Sequence, residues 1–244
     1  MKVSRIQLSI TLTILAAIVV AFSTGCVMQQ GITLKADQTG SAHTELSVDD
    51  FFVAVLEDFT PFIPGKGDQS IMDASVEGVM KELGKTQRAS HAIMQKNGPN
   101  SYSITFDFDS LQQILFELGS QQDQTLIKLE NGTTTTLSFN LDLENYPQLT
   151  KIVPFLADPN FETFGPLYNE GMSAADYLEM ISYILGEDGP QAITDSLITL
   201  EFTTPSDIKS AKGGIQENLR TIRFEIPLID ILLLADPISF SVTW

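Results

Sequence analysis

Apolar and polar residues alternate in short runs through most of this chain, and the runs come in pairs. Ile32, Leu34 and Ala36 alternate with Thr33 and Lys35; after Asp37-Gln38-Thr39-Gly40 the alternation resumes through Ala42, Thr44, Leu46 and Val48. Two period-two runs around a glycine-containing polar turn predict a β-hairpin. A second hairpin is expected from about Arg88 to Phe108, turning at Lys96-Asn97-Gly98-Pro99-Asn100, with Tyr102, Ile104, Phe106 and Phe108 on one face. The third has the clearest turn, because Asn131-Gly132 tolerates positive φ at both positions. It joins Thr125–Glu130 to Thr133–Leu141, and Asn131-Gly132-Thr133 reads as this turn in preference to a glycosylation sequon.

Helical spacing fills the gaps between hairpins. Asp49 or Asp50 is placed to cap a helix over Phe51–Phe59, which Pro61 and Pro64 end before the loop Gly65-Lys66-Gly67-Asp68. Ser70 opens a second helix with Ile71, Met72, Val76, Val79, Met80 and Leu83 on one face, stopping at Gly84. Asp109 is expected to cap Leu111–Leu118, which stops at Gly119, and another helix is expected over Tyr146–Phe155. Ser173 is placed to cap a helix carrying Tyr177, Leu178, Ile181, Ile184 and Leu185, with a short helix continuing towards Ser196 after Gly186-Glu187-Asp188-Gly189-Pro190.

The C-terminal part returns to strand. Leu197–Thr203 alternates, Thr204-Pro205-Ser206-Asp207 turns and Gly213-Gly214 interrupts. Leu219–Ile226 is a strand, Leu228–Leu234 a short apolar helix, and Ile238–Trp244 a last strand expected to be paired inside a sheet. A strand running into a capped apolar helix recurs at Ile104–Leu115 and Ile222–Leu233, and more loosely at Thr44–Leu56 and Leu137–Ile152. The spacing is too irregular for a solenoid. The fold class expected is α+β, with antiparallel hairpins forming a curved sheet and helices packed mainly on one face.

The start of the chain has a different pattern. Lys2 and Arg5 precede an uncharged run from Ile6 to Phe22, followed by Ser23-Thr24-Gly25-Cys26. A basic start, an apolar core and a small-residue exit make up a secretory signal. A spanning helix needs about 20 apolar residues, whereas this run is interrupted by Gln7, Ser9, Thr11 and Thr13. Ordinary cleavage after Ala21-Phe22-Ser23 is an alternative, and a buried start to a cytosolic domain is a further one. Ser23-Thr24-Gly25-Cys26 resembles the lipobox of bacterial lipoproteins, with Ser23 where that family usually has Leu.

The lipobox resemblance implies cleavage before Cys26 and acylation of its thiol by a diacylglycerol, often with a further amide-linked chain such as palmitate. Each buried CH₂ adds about 0.8 kcal/mol, so two or more chains hold firmly where one binds marginally. Lipidation also explains why an exported chain carries a single cysteine. The division implied is a signal peptide over 1–25, a short tether over 26–31 and one α+β domain over 32–244. The weak pattern from Ala157 to Glu170, broken by Pro159, Gly165 and Pro166, puts any lobe boundary near 157–172. Val27 follows the cysteine without an Asp, which is compatible with outer-membrane sorting in some diderm bacteria.

Composition narrows the partners. Without Lys2 and Arg5 the 14 basic residues fall to 12 against 31 acidic, a formal charge of −19. A domain so acidic repels nucleic acid and anionic headgroups. Fifteen Phe and 43% apolar residues argue for a packed core, which no internal disulfide can help to hold.

Candidate chemistry is sparse. His43 and His91 are isolated on expected strands, Cys26 is committed to the anchor, and no phosphate-binding, dinucleotide or nucleophile-elbow motif occurs. Asp107 and Asp109 lie two apart at a strand-to-helix junction, and Asp158-Pro159-Asn160-Phe161-Glu162 is a fragment of a calcium loop. Both read best as caps or solvated turns. No catalytic, cofactor-binding or metal-binding residue is assigned; Cys26 carries the one modification expected.

Three functions follow as expectations. The first is a non-enzymatic, lipid-anchored envelope domain that binds a protein partner or organises the envelope. The second is a carrier or sensor of a hydrophobic ligand, in a cavity lined by Phe51, Phe52, Phe59, Phe62, Phe106, Phe108, Phe116, Phe155, Phe161 and Phe164. The third is a hydrolase using dispersed carboxylates. Gly31 to Ala42, with its Asp37-Gln38-Thr39-Gly40 turn, and the late Thr204-Pro205-Ser206-Asp207-Ile208 with terminal Trp244, are similar to lipoproteins carrying an LppM-type domain. Gly213-Gly214 stands where those proteins usually have Asn-Gly. That resemblance implies an envelope lipoprotein and brings no catalytic residues.

Overall fold

The computed structural model describes residues 26–59, 70–118, 125–152 and 162–244. The hairpins are where alternation places them. β1 (Val27–Leu34) and β2 (Gly40–Ser47) turn through Asp37, whose Oδ1 accepts from the Thr39 N–H at 3.1 Å and the Thr39 hydroxyl at 2.7 Å. β3 (Ala89–Gly98) and β4 (Ser101–Phe108) form the second hairpin, and β5 (Ile127–Asn131) and β6 (Thr135–Leu141) the third. β7 (Leu197–Thr203), β8 (Ser210–Lys212), β9 (Ile215–Gln216), β10 (Thr221–Pro227) and β11 (Ile238–Thr243) complete the strands.

The helices are α1 (Asp50–Phe59), α2 (Ile71–Lys85), α3 (Leu111–Leu118), α4 (Tyr146–Ile152), α5 (Ala174–Leu185), α6 (Gly189–Thr194) and α7 (Leu228–Leu233). Ser70 and Ser173 cap α2 and α5, each accepting from the backbone N–H three residues on. Asp49 accepts from the Phe51 N–H at 2.8 Å at the start of α1. At α3 the cap differs from expectation: Ser110 Oγ accepts from the Gln113 N–H, while Asp109 is drawn to Arg88. α2 continues through Gly84 to Lys85, where the Thr86 N–H closes onto the Leu83 carbonyl.

The fold is α+β, as the pattern implies, but the strands divide between two sheets. One has seven strands in the order β3-β4-β2-β1-β7-β10-β9, the other four in the order β5-β6-β11-β8. Neighbours are antiparallel except β1 and β7, which pair in parallel from Val27↔Leu197 to Thr33↔Thr203. Along the large sheet the even-numbered positions face inward: Leu34, Ala42, Tyr102, Ile104, Phe108, Phe202, Ile222 and Phe224 all join the main core. Leu129, Leu137, Phe240, Val242 and Trp244 of the second sheet and C-terminus close over them, with Met72, Val76, Leu83, Leu111 and Ile114 from α2 and α3. Ring stacks join the sheets: Phe224 and Phe240 lie 3.9 Å apart and nearly parallel, and Phe139 stacks on Phe240 at 4.7 Å. The opposite face of the large sheet carries His43, Glu45, Asp107, Glu201 and Glu225, all exposed.

Two corrections concern particular residues. The stretch 27–31, expected as a tether, is strand: each residue from Val27 to Gly31 pairs with both β2 and β7. Its pattern looks polar because Gln30, facing inward, is hydrogen-bonded by the Thr44 hydroxyl across the hairpin. The third hairpin turns over Gly132-Thr133-Thr134, with Asn131 paired to Thr135, and neither Asn131 nor Gly132 adopts positive φ. Gly213 and Gly214 do, both at φ +72, in the crossing from β8 of one sheet to β9 of the other. Pro61, Pro64, the loop 65–68 and Gly119 lie outside the described residues.

Candidate functional site

Cys26 stands one residue before β1, at the end of the large sheet shared by Val27, Ser47, Ser101, Leu197 and Pro227. Its backbone is already built into the fold. The Cys26 N–H donates to Ser196 Oγ at 2.9 Å, and the Leu197 N–H donates to the Cys26 carbonyl at 3.0 Å. Ser196 is buried and donates in turn to the Ala192 carbonyl of α6 at 2.7 Å, while its own carbonyl accepts from the Leu228 N–H at 3.0 Å. One serine therefore ties the start of β1 to α6, β7 and α7. Buried polar groups must be paired, and here every bond of Ser196 also positions an element.

The Cys26 thiol is part-buried, and burial pushes its pKa up to about 11, with the Asp49 carboxylate adding to the rise. A thiol so raised is protonated at neutral pH, and the thiolate is the nucleophile. In the docked strand Cys26 is thus a poor reagent towards oxidants and electrophiles.

Beyond the strand ends on this side lies a separate core built mainly from helices and without a strand residue. Tyr177 and Ile181 of α5, Ile193 of α6 and Leu233 of α7 are buried together, with Phe52 of α1, Phe164 and Met172 packed around them. The Tyr177 hydroxyl donates to the Phe164 carbonyl at 2.9 Å, and burial raises its pKa. Gly189 permits the close packing of α6 on α5, since a Cβ there would lie 2.9 Å from Ile181 Cγ2. Asn169, also buried, donates to the Gly165 carbonyl at 2.8 Å and holds the segment before α5.

The acidic candidates are paired elsewhere. Asp107 meets His91 Nδ1 at 3.0 Å, and Asp109 accepts from Arg88 at 3.0 Å, so the two carboxylates serve separate ion pairs. Both border a depression of about 320 Å³ with Lys35, Thr39 and Gly40, at the sheet end opposite Cys26. His43 meets Glu45 at 3.1 Å on the exposed sheet face. Of the calcium-loop fragment, residues 158–161 lie outside the described residues. Among the described residues no three His, Cys, Asp or Glu side chains are grouped to hold a metal ion.

Among the described residues, the phenylalanines expected to line one cavity enter different cores. Phe106 and Phe108 pack in the main core, Phe52 and Phe164 in the helical one. Phe51 makes an edge contact with Phe52 at 5.6 Å. Phe116 borders a groove of about 580 Å³ between α3 and β5, with Gln112, Ile127 and Leu129. Phe62, Phe155, Phe161 and the side chain of Phe59 lie outside the described residues.

One polar cluster was not legible in the sequence. Asp73 accepts from Lys96 Nζ at 2.7 and 3.0 Å and from the Tyr102 hydroxyl at 2.7 Å, while Ser70 Oγ donates to it at 2.9 Å. Lys96, Tyr102 and Ser70, in that order, hold its carboxyl down at about 2. The Ser70-x-x-Asp73 spacing was a visible capping signal; the partners on β3 and β4 were not. The cluster fastens α2 to the second hairpin.

No helix among the described residues is long and apolar enough to cross a membrane. No family model matches the chain, and no curated protein matches it. Among solved structures, the NMR structure of the folded domain of the LppM protein of Mycobacterium tuberculosis is similar over 89% of this chain and 88% of that one. The TM-score is 0.39 and the sequence identity 10%, too low to carry an argument about function.

Proposed function

We propose that this protein is an exported lipoprotein, held in the cell envelope by acyl chains on Cys26, whose α+β domain is a non-enzymatic binding or envelope-organising module. The observation that carries the reading is the place of Cys26. It follows a basic start, an apolar run and Ser23-Thr24-Gly25, and it leads directly into β1. Acylation is compatible with the docked backbone, because both an α-ammonium and an N-acyl amide keep a proton to donate to Ser196 Oγ.

On this reading the modification precedes the docking of β1, since in the docked strand burial and Asp49 hold the thiol in its less reactive protonated form. The surface best suited to a soluble partner is the exposed face of the seven-stranded sheet. It is broad, and its Glu45, Asp107, Glu201 and Glu225 suit a polar or basic partner.

The test is incorporation of a clickable fatty acid into the full-length chain and into Cys26→Ala. The reading expects label and membrane association in the first and loss of label in the second. Equal labelling, or none in either with the chain still in the membrane fraction, would replace the lipoprotein by a signal-anchored protein.

A further inference from the structure

The helical core at the Cys26 end leaves large apolar side chains uncovered. Tyr183 is 81% exposed and Ile184 52%, both on α5; Tyr168 is 63% and Leu167 43% exposed, in the segment leading to it. These four are nearly half of the nine large hydrophobic side chains exposed among the described residues. They belong to a unit whose core contains no strand residue and which is connected to the sheet at the strand ends beside Cys26.

From this placement we infer that the outer face of the α5 unit rests on the surface of the bilayer that holds the anchor. The inference depends on the anchored reading above, and two further observations support it. The apolar stretch Ile6–Phe22 ends four residues before Cys26, so whichever form of attachment operates, the membrane meets the chain at this end of the sheet. Cys26 is also tied to Ser196 and β1 begins at the next residue, which removes the slack that would let the domain swing away.

The exposed residues suit such a surface. Tyrosine places an apolar ring and a polar tip at the headgroup level, where it is enriched in membrane proteins. An amphipathic face resting on a bilayer sinks by about 5–10 Å. Asp176, Glu179, Glu187 and Asp188 lie on or beside α5 and are exposed, so the face suits neutral headgroups and is repelled by anionic ones. Leu219, 69% exposed, sits beyond the opposite end of the sheet, where Thr221 pairs with Thr203. Eight strand residues at about 3.3 Å each separate the two ends by roughly 25 Å, so Leu219 should stay in water.

The test uses the full-length protein in phosphatidylcholine vesicles, with a nitroxide on Ile184→Cys or, as the control, on Leu219→Cys. Collisions with oxygen, which concentrates in the bilayer, are compared with collisions with a water-soluble nickel complex. The inference expects a severalfold higher oxygen-to-nickel ratio at 184 than at 219, falling as phosphatidylglycerol replaces phosphatidylcholine. Equal, water-like ratios at both positions would overturn it. So would dipolar broadening between 184 labels, which would give the face to a second copy of the chain. The mass of the N-terminal peptide from the same samples separates the two readings. Acylated Cys26 with a water-exposed 184 sinks only the docking, whereas unmodified Cys26 with a buried 184 sinks only the lipid anchor.

Discussion

Cys26 and Ser196, 170 residues apart in sequence, are joined by a 2.9 Å hydrogen bond from the Cys26 N–H to the Ser196 hydroxyl oxygen. The bond closes the first strand against the seventh and fixes Cys26 at that end of the large sheet. Removing the hydroxyl tests this directly. Ser196→Ala leaves the part-buried Cys26 N–H without this acceptor, at a cost of about 1 kcal/mol. Hydrogen exchange should quicken first at the Val27–Gln30 amides, and unchanged protection there would show that pairing with β2 and β7 holds the strand without this bond.

The thiol gives a pH prediction. In unacylated protein the Cys26 pKa is raised from 9.0 to about 11 by burial and Asp49. Because the folded value lies above the unfolded one, this thiol favours the folded state below about pH 9 and the benefit declines as pH rises towards 11. At pH 9 the thiolate fraction should be about 1% rather than about half. Alkylation by iodoacetamide should therefore climb between pH 9 and 11. Asp49→Asn should move the curve to lower pH by a smaller amount than unfolding does. A midpoint near 9 in the folded protein would contradict the burial.

Asp73 works in the opposite direction. Its carboxyl is held near 2 by Lys96, Tyr102 and Ser70, below the usual value of about 3.9. The stabilisation is complete above about pH 4 and lost as pH falls through 2. The difference in unfolding midpoint between wild type and Asp73→Asn should be constant from pH 7 to 4 and close between pH 4 and 2. A gap that persists at pH 2 would mean the carboxylate charge is not what fastens α2 to the hairpin.

Two glycines separate close approach from helix propensity. A Cβ on Gly40 would lie 2.5 Å from Phe108 Cζ and collide with the Thr33 carbonyl, both parts of the packed sheet. Gly40→Ala should cost about 1–3 kcal/mol or more. Gly78, within α2, has nothing within 4 Å of a Cβ. Gly78→Ala should stabilise the protein by about 1 kcal/mol. Chemical denaturation of both variants checks the pair, and opposite signs are expected.

These residues also show how much of the fold the sequence carried. Local signals were reliable: Ser70 and Ser173 cap the helices they were expected to cap, and β4 presents Tyr102, Ile104, Phe106 and Phe108 inward. Long-range pairing was invisible, because nothing local marks Val27 as the parallel partner of Leu197. The first five residues of β1 read as a tether in the sequence because Gln30 hides an inward position behind its bond with Thr44. Asp109 was assigned a cap it does not make because Arg88, 21 residues earlier, competes for it. The described phenylalanines divide between cores for a related reason: periodicity tells which face a ring is on, not which of several cores it enters.

The anchor itself is the central claim, and the mass of the N-terminal peptide tests it most directly. Protein extracted from membranes of the native host should yield a peptide beginning at Cys26 and carrying a diacylglyceryl group, with or without a further acyl chain. A peptide that still includes Gly25, or that begins near Ser23 with Cys26 unmodified, would contradict the account.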